Sequence, residues 1–478
     1  MLFNSYIFFC FLPIVFLGYR LLLQFGRIWE SKLWLILSSL YFYGYFKLSY
    51  LPLLIVSILI NYAICIRIQK VRGQKTKQCL TAVGCLLNLG ILGYFKYSGF
   101  LFENLNLLLG TRWSIGHIIL PLGISFYTFQ QLSFLIDCCR GERTRYSLTD
   151  YALFVTFFPQ LIAGPIVLPG EMLPQFNDPE RRGLNWENMN IGLYFFACGL
   201  AKKCFVADSL AVIANIGFDA ATPLTVPEGW LVSLAFTFQL YYDFSGYCDM
   251  AIGIGKFFNI DLPANFNSPY RAGDFQDFWR RWHITLGRFM RNYLYIPLGG
   301  SRSGQLRTLV NLLIVFVVSG LWHGAGWLFL LWGGLHGAGI LIHRVWRLFM
   351  DKYGNGRSIP HIPAMILTFF FVNIFWIFFR STTLAGAWNL LRSMFDFSRS
   401  MEISEGFKNA LQMFDLSRDQ LFAILGIFAG TAFLLPNTAV CAQWLKNHPA
   451  IRGALAVVFF FGGFICMTRK SPFLYFNF

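Results

Sequence analysis

The chain has 478 residues, of which 56% are hydrophobic, 19% aromatic and only 13% charged, against about 25% charged in ordinary soluble domains. With a mean hydropathy of +0.54, that balance excludes a disordered chain, a coiled coil and a small disulfide-rich domain. It also leaves too few charges to cover a soluble multidomain enzyme. A polytopic helical membrane protein remains, and its net charge of +16 is then expected in basic cytoplasmic loops rather than on a nucleic-acid face.

Apolar runs long enough to be membrane elements fall near 6–24, 33–47, 51–66, 79–95, 118–136, 150–168, 190–217, 229–254, 309–333, 335–349, 362–380, 420–436 and 454–468. The expected class is therefore all-α, with about 11–13 membrane helices or re-entrant elements. The 150–168 run carries Pro159, Gly164 and Pro165, which predicts a broken or re-entrant element surrounded by protein. Met1 to Tyr6 lacks a basic leader and no small-residue cleavage site follows, so the first run is expected to stay as a span. With the N-terminus outside, the early inside loops hold Arg27, Lys32, Arg67, Lys70, Arg72, Lys75, Lys77, Arg140, Arg143 and Arg145, and the outside loops Lys47, Lys96 and Arg112. The basic excess favours that orientation.

Two polar intervals interrupt the apolar pattern. Residues 255–307 are basic and aromatic throughout, which predicts interfacial helices on the cytoplasmic side. Residues 381–419 hold Asp396, Glu402, Glu405 and Asp415 and are expected at the surface. The expected organisation is one domain over 1–478, with spans in 1–254, basic helices in 255–307, further spans in 308–349, and C-terminal spans with an aromatic tail in 350–478. The eleven cysteines lie mostly in apolar runs without a Cys-x-x-Cys pair. They are expected to be small buried core residues rather than zinc ligands or a disulfide framework.

The chemistry-bearing positions are sparse. His323 sits inside an apolar run in Val318-Ser-Gly-Leu-Trp-His-Gly-Ala-Gly-Trp327. A histidine at membrane depth is costly, so it is expected to face protein or a wet cavity. Gly320, Gly324 and Ala325 would let another chain or a substrate approach it, and a neutral imidazole is the usual general base near pH 7. The competing reading is a histidine satisfied by a neighbouring carbonyl. His283 lies in Phe278-Trp-Arg-Arg-Trp-His283, among Arg271, Arg280, Arg281, Arg288, Arg291, Arg302 and Arg307. That cluster fits either an anchor on anionic lipid headgroups or a funnel for a phosphate-bearing substrate. His336 and His343 lie without His-x-x-x-His or Glu-x-x-His spacing, so no metal site is expected. Asp243 and Asp249 fit orientation of a base, cation binding or helix capping equally. Lys202 and Lys203 fit snorkelling or phosphate binding. The tail, Ser471 to Phe478, fits an interfacial aromatic belt, with Tyr475 as a candidate nucleophile.

Seven segments together resemble the membrane-bound O-acyltransferase family, in particular its bacterial alginate O-acetylation type. They are Leu120-Pro-Leu-Gly-Ile-Ser-Phe-Tyr127, Phe158-Pro-Gln-Leu-Ile-Ala-Gly-Pro165, Gln239 to Gly253 with Tyr-Tyr-Asp-Phe-Ser-Gly at its centre, Asn265-Phe-Asn-Ser-Pro-Tyr270, Phe278-Trp-Arg-Arg-Trp-His-Ile-Thr285, Asn292-Tyr-Leu-Tyr-Ile-Pro-Leu-Gly-Gly300 and Gly320-Leu-Trp-His-Gly-Ala325. The resemblance implies a funnelled helical bundle around a transmembrane tunnel in the bacterial inner membrane. It implies His323 as the principal catalytic histidine, His283 as a second, and Tyr475 as a carrier of the acyl group. Arg280, Arg281, Trp282, Asn265, Asp243 and Trp322 are the expected substrate-binding residues. The implied donor is acetyl-CoA, with no bound cofactor. The implied partner is a secreted transferase that modifies alginate or another polysaccharide. Similar proteins serve cellulose, peptidoglycan and teichoic acid. A transporter or flippase for an anionic solute, and a scaffold of an exopolysaccharide complex, are the rival readings.

Overall fold

The computed structural model describes residues 1–114, 116, 118–141, 146–220, 223–302, 304–354, 359–412, 418–468 and 473–474. Tyr475, Arg143, Arg145 and His117 lie outside the described residues. Among the described residues every regular element is a helix. Six helices are long and apolar enough to cross a membrane, or up to seven if a bent pair counts as one. They are Tyr6–Gln24, Leu48–Lys70, Gln74–Leu109, Gln305–His323, Trp327–Tyr353 and His361–Arg380; the bent pair is Phe422–Leu434 with Thr438–Trp444. Most of the other expected elements are helices too short to cross alone, such as Ile28–Gly44 and Ile124–Arg140. Val226–Phe257 is long, at 32 residues, but carries Gln239, Asp243, Ser245 and Asp249, all buried. A helix enclosed by protein escapes the demand for uniform apolarity that lipid imposes.

Contacts divide the chain into two compact units. The first comprises Met1–Cys198, Tyr247–Pro263 and Leu445–Val458. Polar residues tie its spans together: Ser57 Oγ donates to Gln131 Oε1 over 2.6 Å, and Asn61 and Asn88 exchange amide hydrogen bonds of 3.1 and 2.6 Å. In an apolar interior such satisfied networks fix register between helices. The 150–168 element is broken. Leu148–Thr156 ends at Phe157, and a single turn, Phe158–Leu161, follows. Ser39 Oγ accepts from the Phe158 amide at 3.2 Å, and Gln160 Nε2 donates to the Phe154 carbonyl at 2.8 Å. Protein side chains thus replace the hydrogen bonds lost at the break. The cysteines are less uniform than expected. Cys65 and Cys138 are joined as a disulfide between neighbouring helices, Cys198, Cys204 and Cys248 are buried, and Cys10 and Cys79 are exposed.

The second unit comprises Gly199–Gly246, Ala264–Trp444 and Phe459–Phe478. At its centre Gln305–His323 and Trp327–Tyr353 form a tight antiparallel hairpin. A Cβ on Gly320 would fall on the Phe329 carbonyl oxygen, and one on Gly333 on the Phe316 carbonyl oxygen. Two small residues therefore let the backbones touch. His361–Arg380 packs alongside, with Trp376 stacked on Trp332 at a centroid separation of 5.5 Å. The basic interval is built from short pieces, Pro269–Arg271, Phe275–Arg281, Ile284–Met290 and the π-turn Arg291–Tyr295.

Candidate active site

The second unit brings His283 and His323 together, with ring centroids 6.2 Å apart. Both are buried. They arrive by different local rules. His323 is the last residue of Gln305–His323, where Gly324 turns extended and ends the helix. His283 joins Phe275–Arg281 to Ile284–Met290 in a left-handed conformation, with φ of 45°. A non-glycine residue there is held by its surroundings, and Asn265 supplies the hold. Its backbone carbonyl accepts from the Ile284 amide at 3.0 Å. Its Oδ1 accepts from the Thr285 amide at 3.2 Å and from Thr285 Oγ1 at 2.9 Å.

The same oxygen lies 3.1 Å from His283 Nδ1. Because a backbone N–H points at it, this atom of Asn265 is an acceptor, so Nδ1 must carry the proton and Nε2 is the basic nitrogen. Burial pushes the His283 pKa down to about 3, and the ring is neutral at neutral pH. Four rings surround His323: Trp322 at 4.9 Å, Trp332 at 5.1 Å, Phe379 at 5.4 Å and His283. Phe244 meets His283 edge-on at 4.8 Å. Both imidazoles are thus buried among aromatic rings.

A cavity of about 820 Å³ opens next to the pair, within the range of roughly 300–1,000 Å³ usual for small-molecule sites. Ile284, beside His283, and Ser319, one turn before His323, line it. So do Arg280, Arg288, Arg291, Arg344 and Arg347, with Trp279, Phe316 and Ile340 supplying apolar wall. His343 also lines it, with Nε2 3.6 Å from Asp274 Oδ2. Cationic and apolar surface so combined suits an amphipathic anion.

The remaining expected site residues are dispersed around this cavity. Arg280 lines it, whereas Arg281 turns away, its Nε 2.8 Å from Asp277 Oδ1. Adjacent helical residues point about 100° apart, which separates the two. Trp282 is fully buried against Phe266 at 5.1 Å and Trp376 at 4.9 Å, outside the cavity lining. Trp322 packs on His323. Asp243 pairs with Lys203 at 2.7 Å. Lys202 Nζ donates to Thr438 Oγ1 at 2.9 Å. His336 lies deeper, its Nδ1 accepting from Trp279 Nε1 at 3.2 Å. Arg344 and Arg347 were not singled out by the sequence, and His343 was weighed only as a metal ligand. Their signal is a basic run near the end of an apolar helix, which reads equally as interfacial anchoring.

The membrane-bound O-acyltransferase family model matches residues 35–387. The chain belongs to the membrane-bound O-acyltransferase family. Within that family, a peptidoglycan O-acetyltransferase of Helicobacter pylori is 41% identical over an alignment taking in 100% of this chain and 98% of the relative. A probable alginate O-acetylase of Azotobacter vinelandii is 39% identical over 83% of this chain and 78% of its own length. A teichoic acid D-alanyltransferase of Bacillus subtilis is more distant, 24% identical over 54% of this chain and 67% of the relative. This O-acyltransferase is thus an enzyme and a multi-pass, all-α membrane protein.

Proposed function

We propose that the protein transfers acetyl groups from acetyl-CoA toward the hydroxyl groups of an extracytoplasmic polysaccharide, from a position in the bacterial inner membrane. The observation that carries this reading is the pairing of two buried histidines next to an arginine-lined cavity whose wall includes Ile284 and Ser319, their neighbours in the chain. The arginines suit the phosphates of CoA, and the apolar wall between them suits its pantetheine arm. The basic character of 271–307 supports a cytoplasmic position for this mouth by the charge rule. The two relatives named as O-acetyltransferase or O-acetylase support acetyl as the group transferred. The full-length match to a peptidoglycan enzyme supports peptidoglycan as the acceptor alongside alginate.

In this reading His323 is the general base. Its imidazole takes the proton of the acceptor hydroxyl as the oxygen attacks the thioester carbonyl. The C–S bond then breaks, and the leaving CoA sulfur receives the proton from the imidazolium. His283, fixed as the Nδ1–H tautomer, presents Nε2 in the same cage and orients the reacting groups. The acceptor is the Tyr475 hydroxyl, which relays the acetyl group to a secreted transferase, or a hydroxyl of that partner itself. No resident cofactor or metal is invoked.

The test is acetyl content of the cell-surface polymers in cells carrying His323→Ala. A placed base contributes about 10²- to 10⁴-fold, so acetylation should fall to background while membrane levels of the protein stay normal. Ester analysis of purified peptidoglycan and of exopolysaccharide separately identifies the polymer. Normal acetylation in the variant would remove His323 from the mechanism and return weight to a transporter or scaffold.

A further inference from the structure

The second unit contains a buried charge cluster apart from the arginine cavity. Lys203 Nζ lies 2.7 Å from Asp243 Oδ1 and 2.8 Å from Asp208 Oδ1, with all three side chains almost wholly buried. Lys203 sits in the π-turn Ala201–Ala207. Two glycines bring neighbouring elements close to that turn. A Cβ on Gly246 would lie 2.8 Å from the Gly199 carbonyl oxygen, and one on Gly463 3.0 Å from the Ala201 nitrogen.

A buried carboxylate is stable only with a hydrogen-bond donor at each of its oxygens. Asp243 Oδ2 therefore needs another donor, and the C-terminal segment supplies it: the Leu474 amide donates to Asp243 Oδ2 at 3.0 Å. The preceding residue completes the contact. Phe473 is buried, and its ring centroid lies 4.5 Å from Lys203 Nζ. A cation over a ring face and an amide on a carboxylate address the two charges of one ion pair separately.

We infer that the Lys203–Asp243 pair is a built-in receptor for the protein's own C-terminal segment. It binds an apolar-aromatic residue followed by a backbone amide, here Phe473 and Leu474. The dock lies beside the catalytic cage in sequence and space, because Phe244, next to Asp243, is the ring that meets His283 at 4.8 Å. Tyr475 follows Leu474 directly in the sequence. What the held tail serves rests on the acyl-transfer reading; the docking itself does not.

Amide hydrogen exchange on the full-length protein in detergent, resolved at Leu474 by fragmentation, tests this directly. One hydrogen bond to a charged group supports about tenfold protection or more. Leu474 should show it in the parent protein and lose it in Phe473→Ala, which keeps all three charged side chains of the cluster, and in Asp243→Asn, which removes the charge. Exchange of Leu474 at the unprotected rate in the parent would overturn the inference. So would unchanged protection in Phe473→Ala, or a loss matched by equal loss in helix amides across the chain. CoA release from acetyl-CoA, followed in the same samples, reports separately on the acyl-transfer reading.

Discussion

At the residue scale the site depends on one asparagine as much as on the two histidines. Asn265 fixes the tautomer of His283 and its left-handed backbone through a single side-chain oxygen and a carbonyl. Asn265→Ala should therefore lower kcat about 10²-fold through misplacement of the imidazole, with the KM for acetyl-CoA nearly unchanged; steady-state kinetics on purified protein measure both. Arg344 belongs to the other half of the site, and Arg344→Ala should raise that KM about tenfold, the loss expected for one charge-assisted hydrogen bond. Its effect should shrink at high salt, unlike that of Asn265→Ala. His323 and His283 were legible in the sequence because an imidazole within apolar or aromatic surroundings is conspicuous. The separation of Arg280 from Arg281 was not, since which neighbour faces a cavity depends on the phase of a short helix.

At the element scale the hairpin of Gln305–His323 and Trp327–Tyr353 holds His323 in place. Its tightness comes from glycine against backbone, and Gly320→Ala would push a methyl into the Phe329 carbonyl. Overpacking of this kind costs about 1–3 kcal/mol, so the variant should melt at a lower temperature in detergent and lose activity in proportion. The sequence marked Gly320 as a place of close approach but not Gly333, and the structure shows that the approaching group is the partner helix. The break after Thr156 was equally legible, from Pro159 and Pro165. The short helices of the basic interval were legible as a class only, because no periodicity fixes the bounds of seven-residue elements such as Phe275–Arg281. The Lys203 cluster was hidden for another reason. Lys203 and Asp243 were marked in the sequence separately, for phosphate or cation binding, Asp208 was not marked, and their pairing depends on a π-turn and on Gly246.

At the scale of the whole molecule the low charge content and the +16 balance have found a structural meaning. Most of the chain is apolar helix, and a concentrated part of the positive charge lines one cavity beside two buried histidines. The central claim is that this cavity delivers an acyl thioester to His323. The most direct measurement is free thiol released from acetyl-CoA by purified protein in detergent, with the parent chain and His323→Ala compared at equal folded concentration. The account predicts steady CoA release by the parent and a fall of about 10²-fold or more in the variant. Release at the same rate from both proteins would contradict it.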